Sequence, residues 1–201
     1  MSSEYGQNIK LTVFGESHAS AVGVLIEGLP AGEAIDEERI MNFMRRRMGG
    51  KAWSTPRKEE DRPEFLCGLL GGKTTGAALC AIIKNSNIRP SDYENMKNVP
   101  RPSHADYPAF VKYGGANDRS GGGQFSGRLT APLCVAGAIS EQILARKGIN
   151  VAAHLSRAAG IDDTPFDPCD PDNGIFEKLK TKLFPTIDDT AGEEMIKKIL
   201  E

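Results

Sequence analysis

Apolar and polar positions alternate over Lys10–Phe14 (KLTVF) and Ala21–Leu29 (AVGVLIEGL), which predicts two strands rich in Val, Ile and Thr and bounded by glycine. The loop GESHAS lies between them. The period then changes to that of a helix from Glu37 to about Arg47. Asp36 is its expected N-cap, and Ile40, Phe43 and Met44 are its buried stripe. It ends in RRRMGG, where cations suit the negative end of the helix dipole and glycines stop the helix. Phe65–Leu70 and Ala77–Lys84 read as two further strands joined by GGKTTG.

From Asn85 to Gly127 the chain reads mostly as loop, with Pro90, Pro100, Pro102 and Pro108 as breakers. So long a loop inside a compact domain points to function. Thr130 is the expected cap of the clearest helix, APLCVAGAISEQILARKG. Proline sits in its first turn, Arg146 and Lys147 in its last, and Gly148 closes it. Ile149–Leu155 reads as another strand, AGIDDTPFDPCDPDNG as a polar connection, and TAGEEMIKKILE as a last helix that stops in mid-pattern, as in a truncated chain.

The 201 residues suffice for one large domain or two small ones with a real core. A net charge of −2 gives no global pull toward nucleic acid or a membrane, so any anion site must come from local clustering of cations. Aromatic residues, at 6%, are too sparse for a base-stacking surface. No apolar run approaches the ~20 residues of a membrane span, and MSSEYGQNIK lacks a signal-peptide core. Cys67, Cys80, Cys134 and Cys169 form no C-x-x-C pair, and three lie in apolar stretches where cysteine behaves as a small buried hydrophobe. The expectation is a reduced cytoplasmic protein without a disulfide framework or structural zinc.

Three segments carry chemistry. FGESHAS holds Glu16, Ser17 and His18 in a turn; it nearly matches the nucleophile elbow G-x-S-x-G, but an elbow leads into a helix and here a strand follows. RRRMGGKAWSTPRK packs Arg45, Arg46, Arg47, Lys51, Arg57 and Lys58 into 14 residues, and guanidinium pairs with carboxylate or phosphate through two parallel hydrogen bonds. The plainer reading of these cations is a solvated helix end. RPSHADYPAFVKYGGANDRSGGGQFSGR adds His104, a residue type that can act as acid or base, and Gly121–Gly123, whose backbone N–H groups can approach an anion closely. Its plainer reading is a glycine hinge with a structural histidine. GGKTTG lacks the first glycine of a P-loop, and His154, Asp162, Asp163 and Cys169 fit no metal-ligand spacing.

Five pieces in one order resemble chorismate synthase: FGESHAS at 14–20, RRRMGGKAWSTPRKEED at 45–61, GGKTTGAALCAIIKN at 71–85, RPSHADYPAFVKYGG at 101–115 and GGGQFSGRLTAP at 121–132. The resemblance implies an α+β fold, with mixed or antiparallel sheets packed on helices, as a single domain over 1–201 that represents the first half of the family's chain. It implies the 1,4-elimination of phosphate from 5-enolpyruvylshikimate 3-phosphate to give chorismate. It implies reduced FMN as cofactor, NADPH as a candidate reductant of that flavin, and a homo-oligomer, a tetramer by analogy, with neither nucleic acid nor membrane as partner. By the same analogy His18 protonates the departing phosphate and His104 manages the proton on reduced flavin. Ser17, Arg46, Arg47 and Arg128 hold the substrate, and Gln124, Phe125 and Ser126 contact FMN. The other reading of a truncated chain is a non-catalytic copy that binds an anion or a partner chain.

The sequence departs from the family at several positions. Ala19 and Ser103 stand where glycine is usual, and a positive φ at either would cost ~1 kcal/mol beside a histidine. Ala52 stands where many members carry a second substrate-binding arginine, for which Lys51 is the nearest substitute. GGGQFSGR replaces the commoner GGGRSSAR.

Overall fold

A computed structural model describes residues 3–86, 99–169 and 173–201. One antiparallel sheet, in the order β1-β2-β3-β7-β4, carries the architecture. Its strands are β1 (Glu4–Tyr5), β2 (Lys10–Gly15), β3 (Ala21–Glu27), β4 (Glu64–Cys67) and β7 (Leu79–Lys84). The hairpin β5 (Leu69–Leu70) and β6 (Lys73–Thr74) and the hairpin β8 (Arg157–Ala158) and β9 (Ile161–Asp162) stand apart from it.

The period of two decides which face of the sheet is buried. Val22, Val24 and Ile26 of β3 pair with Ile83, Ala81 and Leu79 of β7, so all six point to one side, and all are buried. On them lie α1 (Glu37–Arg47) and α3 (Thr130–Ala145), which contribute Ile40, Met44, Val135 and Ile139. Buried Gln142 of α3 clamps the start of α1: its Oε1 accepts from Asp36 N at 2.8 Å, and its Nε2 donates to Asp36 O at 3.1 Å. On the other face Phe14 lies over Gly23, where a Cβ would fall 2.4 Å from its ring.

Several elements differ from the sequence expectation. The strand expected over 65–70 is broken at Gly68, whose φ of +87° turns the chain from β4 into β5. Within the span expected to be loop, Asp106–Tyr113 is a helix, α2. Pro108 is its third residue, where a missing N–H costs no intrahelical bond. Pro90 lies outside the described residues. Thr130 is the first residue of α3 rather than its cap, because a short 3-10 turn at Gly127–Leu129, capped by Ser126, runs directly into it. Residues 149–155 form no strand; β8 follows them, and the polar connection contains its partner β9. Helix α4 (Asn173–Thr181) follows, and α5 (Asp189–Leu200) begins at an Asp188 cap. No helix among the described residues is long and apolar enough to cross a membrane.

Candidate active site

Two histidines and a glycine run form the centre of the site. The turn between β2 and β3 presents Ser17 and His18. Its backbone is fixed from several directions: Ser17 N donates to Gly123 O at 3.2 Å, Arg57 Nη2 to Ser17 O at 3.0 Å, and Asn85 Nδ2 to Ala19 O at 2.7 Å and Glu16 O at 3.2 Å. Ser17 Oγ donates to Ser120 O at 3.1 Å. Gly121 and Gly122 adopt φ of +66° and +119°. A Cβ on Gly121 would fall 2.4 Å from His18 Nε2, and one on Gly122 would fall 3.1 Å from His104 Nε2. Both imidazoles therefore lie against successive glycines, and the side chain that glycine lacks is what lets them do so.

His104 is held by an ion-paired frame. Asp106 Oδ1 lies 2.5 Å from His104 Nδ1, and Arg101 binds both carboxylate oxygens of Asp106 at 2.8 and 2.9 Å. The Arg101 hydrogen bonds hold the Asp106 carboxyl well below the usual carboxylate range. An ionised Asp106 at that distance places the ring hydrogen on Nδ1 and leaves Nε2 to face Gly122. Ser103 has a φ of +60°, so the strain expected where glycine is usual is present, one residue before His104. Ala19 carries no such strain: its φ is not positive.

A hollow of about 980 Å³ opens beside His18, lined by Ser17, Arg47, Arg57, Arg128 and Thr130. Asp61 lies at its wall, buried and at a φ of +46°. It accepts from Arg47 Nη1 at 2.6 Å and from Arg128 Nη1. Arg47 also donates through Nε to Thr130 Oγ1 at 3.0 Å and through Nη2 to Gly127 O at 3.2 Å. Arg128 Nε donates to Asn85 Oδ1 at 2.9 Å, while its Nη2 is buried without a hydrogen-bond partner among the described residues. A guanidinium so confined, with one donor unspent, can take a further anionic partner.

Arg46 is not brought to this hollow. It leans over the Phe43 ring and lines a separate cavity of about 360 Å³ between α1, α3 and α4. Lys51 does not stand in for the arginine missing at 52. Its Nζ donates to the carbonyls of Arg45, Arg46 and Met48 at 3.2, 2.9 and 2.6 Å and so caps α1, whose end comes at extended Met48 rather than at glycine. Burial, and then the Arg47 charge, lower the Lys51 pKa.

A second hollow of about 1090 Å³ shares Ser126 and Thr130 with the first. Leu11, Val13, Phe14, Leu129 and Leu133 make it apolar, and Gln124 gives it a polar edge. Its ionisable carboxylates are Glu4 and Glu16, and among the described residues no Lys or Arg lines it. Burial, and then the Asp118 charge, raise the Glu16 pKa. Phe125 lines neither hollow, and neither does His104.

Asp61 and Asn85, which hold the arginines and the His18 turn, carry no motif of their own. The usable signal was charge: EED follows six cations and had to pair with some of them.

The profile of one family, chorismate synthase, matches residues 9–201. The chain belongs to the chorismate synthase family. A chorismate synthase of Lancefieldella parvula is 48% identical over 167 residues, 83% of this chain and 44% of the relative. One from Thermococcus kodakarensis is 42% identical over 186 residues, 89% of this chain and 52% of the relative. A crystal structure of chorismate synthase superposes over 96% of this chain and 52% of its own, with a TM-score of 0.65 at 23% identity, and shares the α+β fold. The chain thus spans about half the length of the curated chorismate synthases it matches.

Proposed function

We propose that this chain carries the substrate side of a chorismate synthase site and takes part in the 1,4-elimination of phosphate from 5-enolpyruvylshikimate 3-phosphate. One observation carries the reading: the buried, unpartnered Arg128 Nη2 at the wall of a cationic hollow that His18 and Ser17 also line. The substrate bears two carboxylates and a phosphate, and fixed donors in a confined site meet the charge that grows on the leaving group. In this reading Arg128 and Arg47 grip the anion, Ser17 orients it, and His18 delivers a proton to the departing phosphate oxygen. Arg46 has no part in the grip.

Reduced FMN suits the adjoining hollow in one half of its structure. An apolar floor with Gln124 and Ser126 at the edge matches a flat ring system with polar atoms on one rim, whereas the acid-only charge of that hollow gives a flavin phosphate nothing to bind. When bound, the reduced flavin supplies electron density to the substrate ring, with NADPH as its reductant in this reading. His104 holds or releases a proton at Nε2, the nitrogen that its Asp106 bond leaves outward. A homotetramer completes the reading.

The test is anaerobic incubation with 5-enolpyruvylshikimate 3-phosphate and reduced FMN, following chorismate and phosphate. Turnover is expected, and His18→Ala should abolish it while substrate still binds. A folded chain that neither binds the substrate nor releases phosphate overturns the reading. Binding without turnover selects the second reading, a non-catalytic anion-binding copy.

A further inference from the structure

We propose that Cys67 and Cys80 form a redox-active dithiol that closes into a cross-strand disulfide by exchange with low-molecular-weight disulfides. The two cysteines are 13 positions apart in sequence, yet they are partners in the register of β4 and β7, where pairing resumes after a one-residue shift between Phe65 and Cys67. Residues opposite one another on antiparallel strands have Cα atoms about 4.5 or 5.5 Å apart, depending on the pair type, and point to the same face. Both separations lie within the range that a disulfide spans. The approach is held close by the next residue. Gly68 packs so tightly on β7 that a Cβ there would fall 2.3 Å from Leu79 Cα.

The pair is also accessible. Strand β4 is an edge of the sheet, and Cys67 is exposed, against the expectation of a buried small hydrophobe. Leu79 and Ala81 point into the helices, so Cys80 between them lies on the opposite face of the sheet, half-buried. Both thiols are free in the fold, and Cys67 Sγ makes a weak contact to Ala78 O at 3.4 Å. Rotation about the Cys67 Cα–Cβ bond exchanges that contact for the neighbouring sulfur. Burial and the charge of Cys67 both raise the Cys80 thiol, as two thiols sharing one site require.

The chemistry is exchange in two steps. The Cys67 thiolate attacks a disulfide RSSR, forms Cys67–S–S–R and expels one RS⁻. The Cys80 thiolate then attacks the Cys67 sulfur, closes the protein disulfide and expels the second RS⁻. The two protein thiols are oxidised, RSSR is reduced to two RSH, and the two thiol protons end on the released thiolates. The product ties the edge strand to the sheet and encloses the β5–β6 hairpin.

Oxidised glutathione is the probe, applied to the reduced, folded chain. Trypsin cuts at Lys73, between the two cysteines, so closure appears as a pair of peptides that stay joined on a non-reducing gel and that dithiothreitol separates. The expected result is loss of two free thiols of the four, with Cys67 linked to Cys80. Cys80→Ser should trap a stable glutathione adduct on Cys67, and Cys67→Ser should prevent the linkage. Stable glutathione on Cys67 of the unmodified chain, with Cys80 still a free thiol, overturns the proposal. Linkage that forms only in urea, where the register is lost, overturns it as well.

Discussion

Asp61→Asn is the sharpest test of the frame around the cationic hollow. Asparagine keeps the shape of the side chain and tolerates the positive φ of 46°, so the substitution isolates the charge. In the native fold Asp61 is 2% exposed and neutralises Arg128, which is 5% exposed, while also pairing with Arg47. Removing one partner of a buried pair costs about 3–5 kcal/mol, because the remaining charge is left uncompensated. Asparagine can still accept one hydrogen bond and Arg47 is partly solvated, which sets the expectation at about 3 kcal/mol. With a urea dependence of about 2 kcal/mol per molar, the unfolding midpoint should fall by about 1.5 M. Urea titration followed by far-UV circular dichroism measures it. Adding Arg128→Met should recover part of the loss, since it removes the stranded cation. A midpoint within about 0.2 M of the native one would refute the claim that a buried ion pair frames this site.

Other expectations follow from single contacts. Gly121→Ala places a methyl 2.4 Å from His18 Nε2 at a φ of +66°; it should cost about 1–2 kcal/mol and shift the His18 imidazole resonances while those of His154 stay in place. Asp163 is buried, which raises its pKa, but N–H donors from Ile187 and Asp188 and the His154 ring outweigh burial and hold it below its usual 3.8. A depressed carboxyl stabilises the fold above about pH 4 and loses that contribution as pH falls through the folded value, so the melting temperatures of native chain and Asp163→Asn should differ at pH 7 and converge toward pH 2–3. Because Glu4 and Glu16 are the charges of the apolar hollow, reduced FMN and reduced riboflavin should bind this chain with similar Kd by fluorescence quenching; FMN binding tenfold tighter would refute the assignment of the ring to that hollow.

The parts of the fold written in local period were legible. Asp36 capped α1 as its position foretold, through N–H bonds from Glu38 and Arg39, and the alternation in β2 and β3 set the buried face. Elements governed by backbone exceptions were not. Pro108 read as a breaker, although the first turn of a helix accepts proline, and Gly68 hid a break between two strands. At the site, His18, His104, Arg47 and Arg128 were named through the family resemblance. Arg46 was named with Arg47; successive residues on a helix point about 100° apart, and here Arg46 lines the cavity between α1, α3 and α4 while Arg47 lines the cationic hollow. Asp61 and Asn85 escaped because their meaning lies in partners far away in sequence, Arg128 for one and the turn at 16–19 for the other.

Those distant partners also explain how one hollow can be cationic in a chain of net charge −2. Arg47 comes from the end of α1, Arg57 from the loop that follows it, and Arg128 from the turn before α3. Each has an internal acceptor, so the three guanidiniums do not simply repel one another: Arg57 pairs with Glu59, and Arg47 and Arg128 share Asp61. Sharing one carboxylate between two cations leaves that pair with one positive charge and one unspent donor, Arg128 Nη2, aimed where an anion is needed. A site built this way is ready before ligand arrives, since moving the arginines would expose a buried carboxylate. The adjoining hollow has the opposite sign. In the proposed reading its acids would face a ligand that needs cations for its phosphate, and the wall of Ser126 and Thr130 between the hollows carries no charge to supply them. The division proposed is therefore chemical: an anion grip with a histidine pair on one side, and on the other a hollow suited to the ring half of a flavin rather than to its phosphate half.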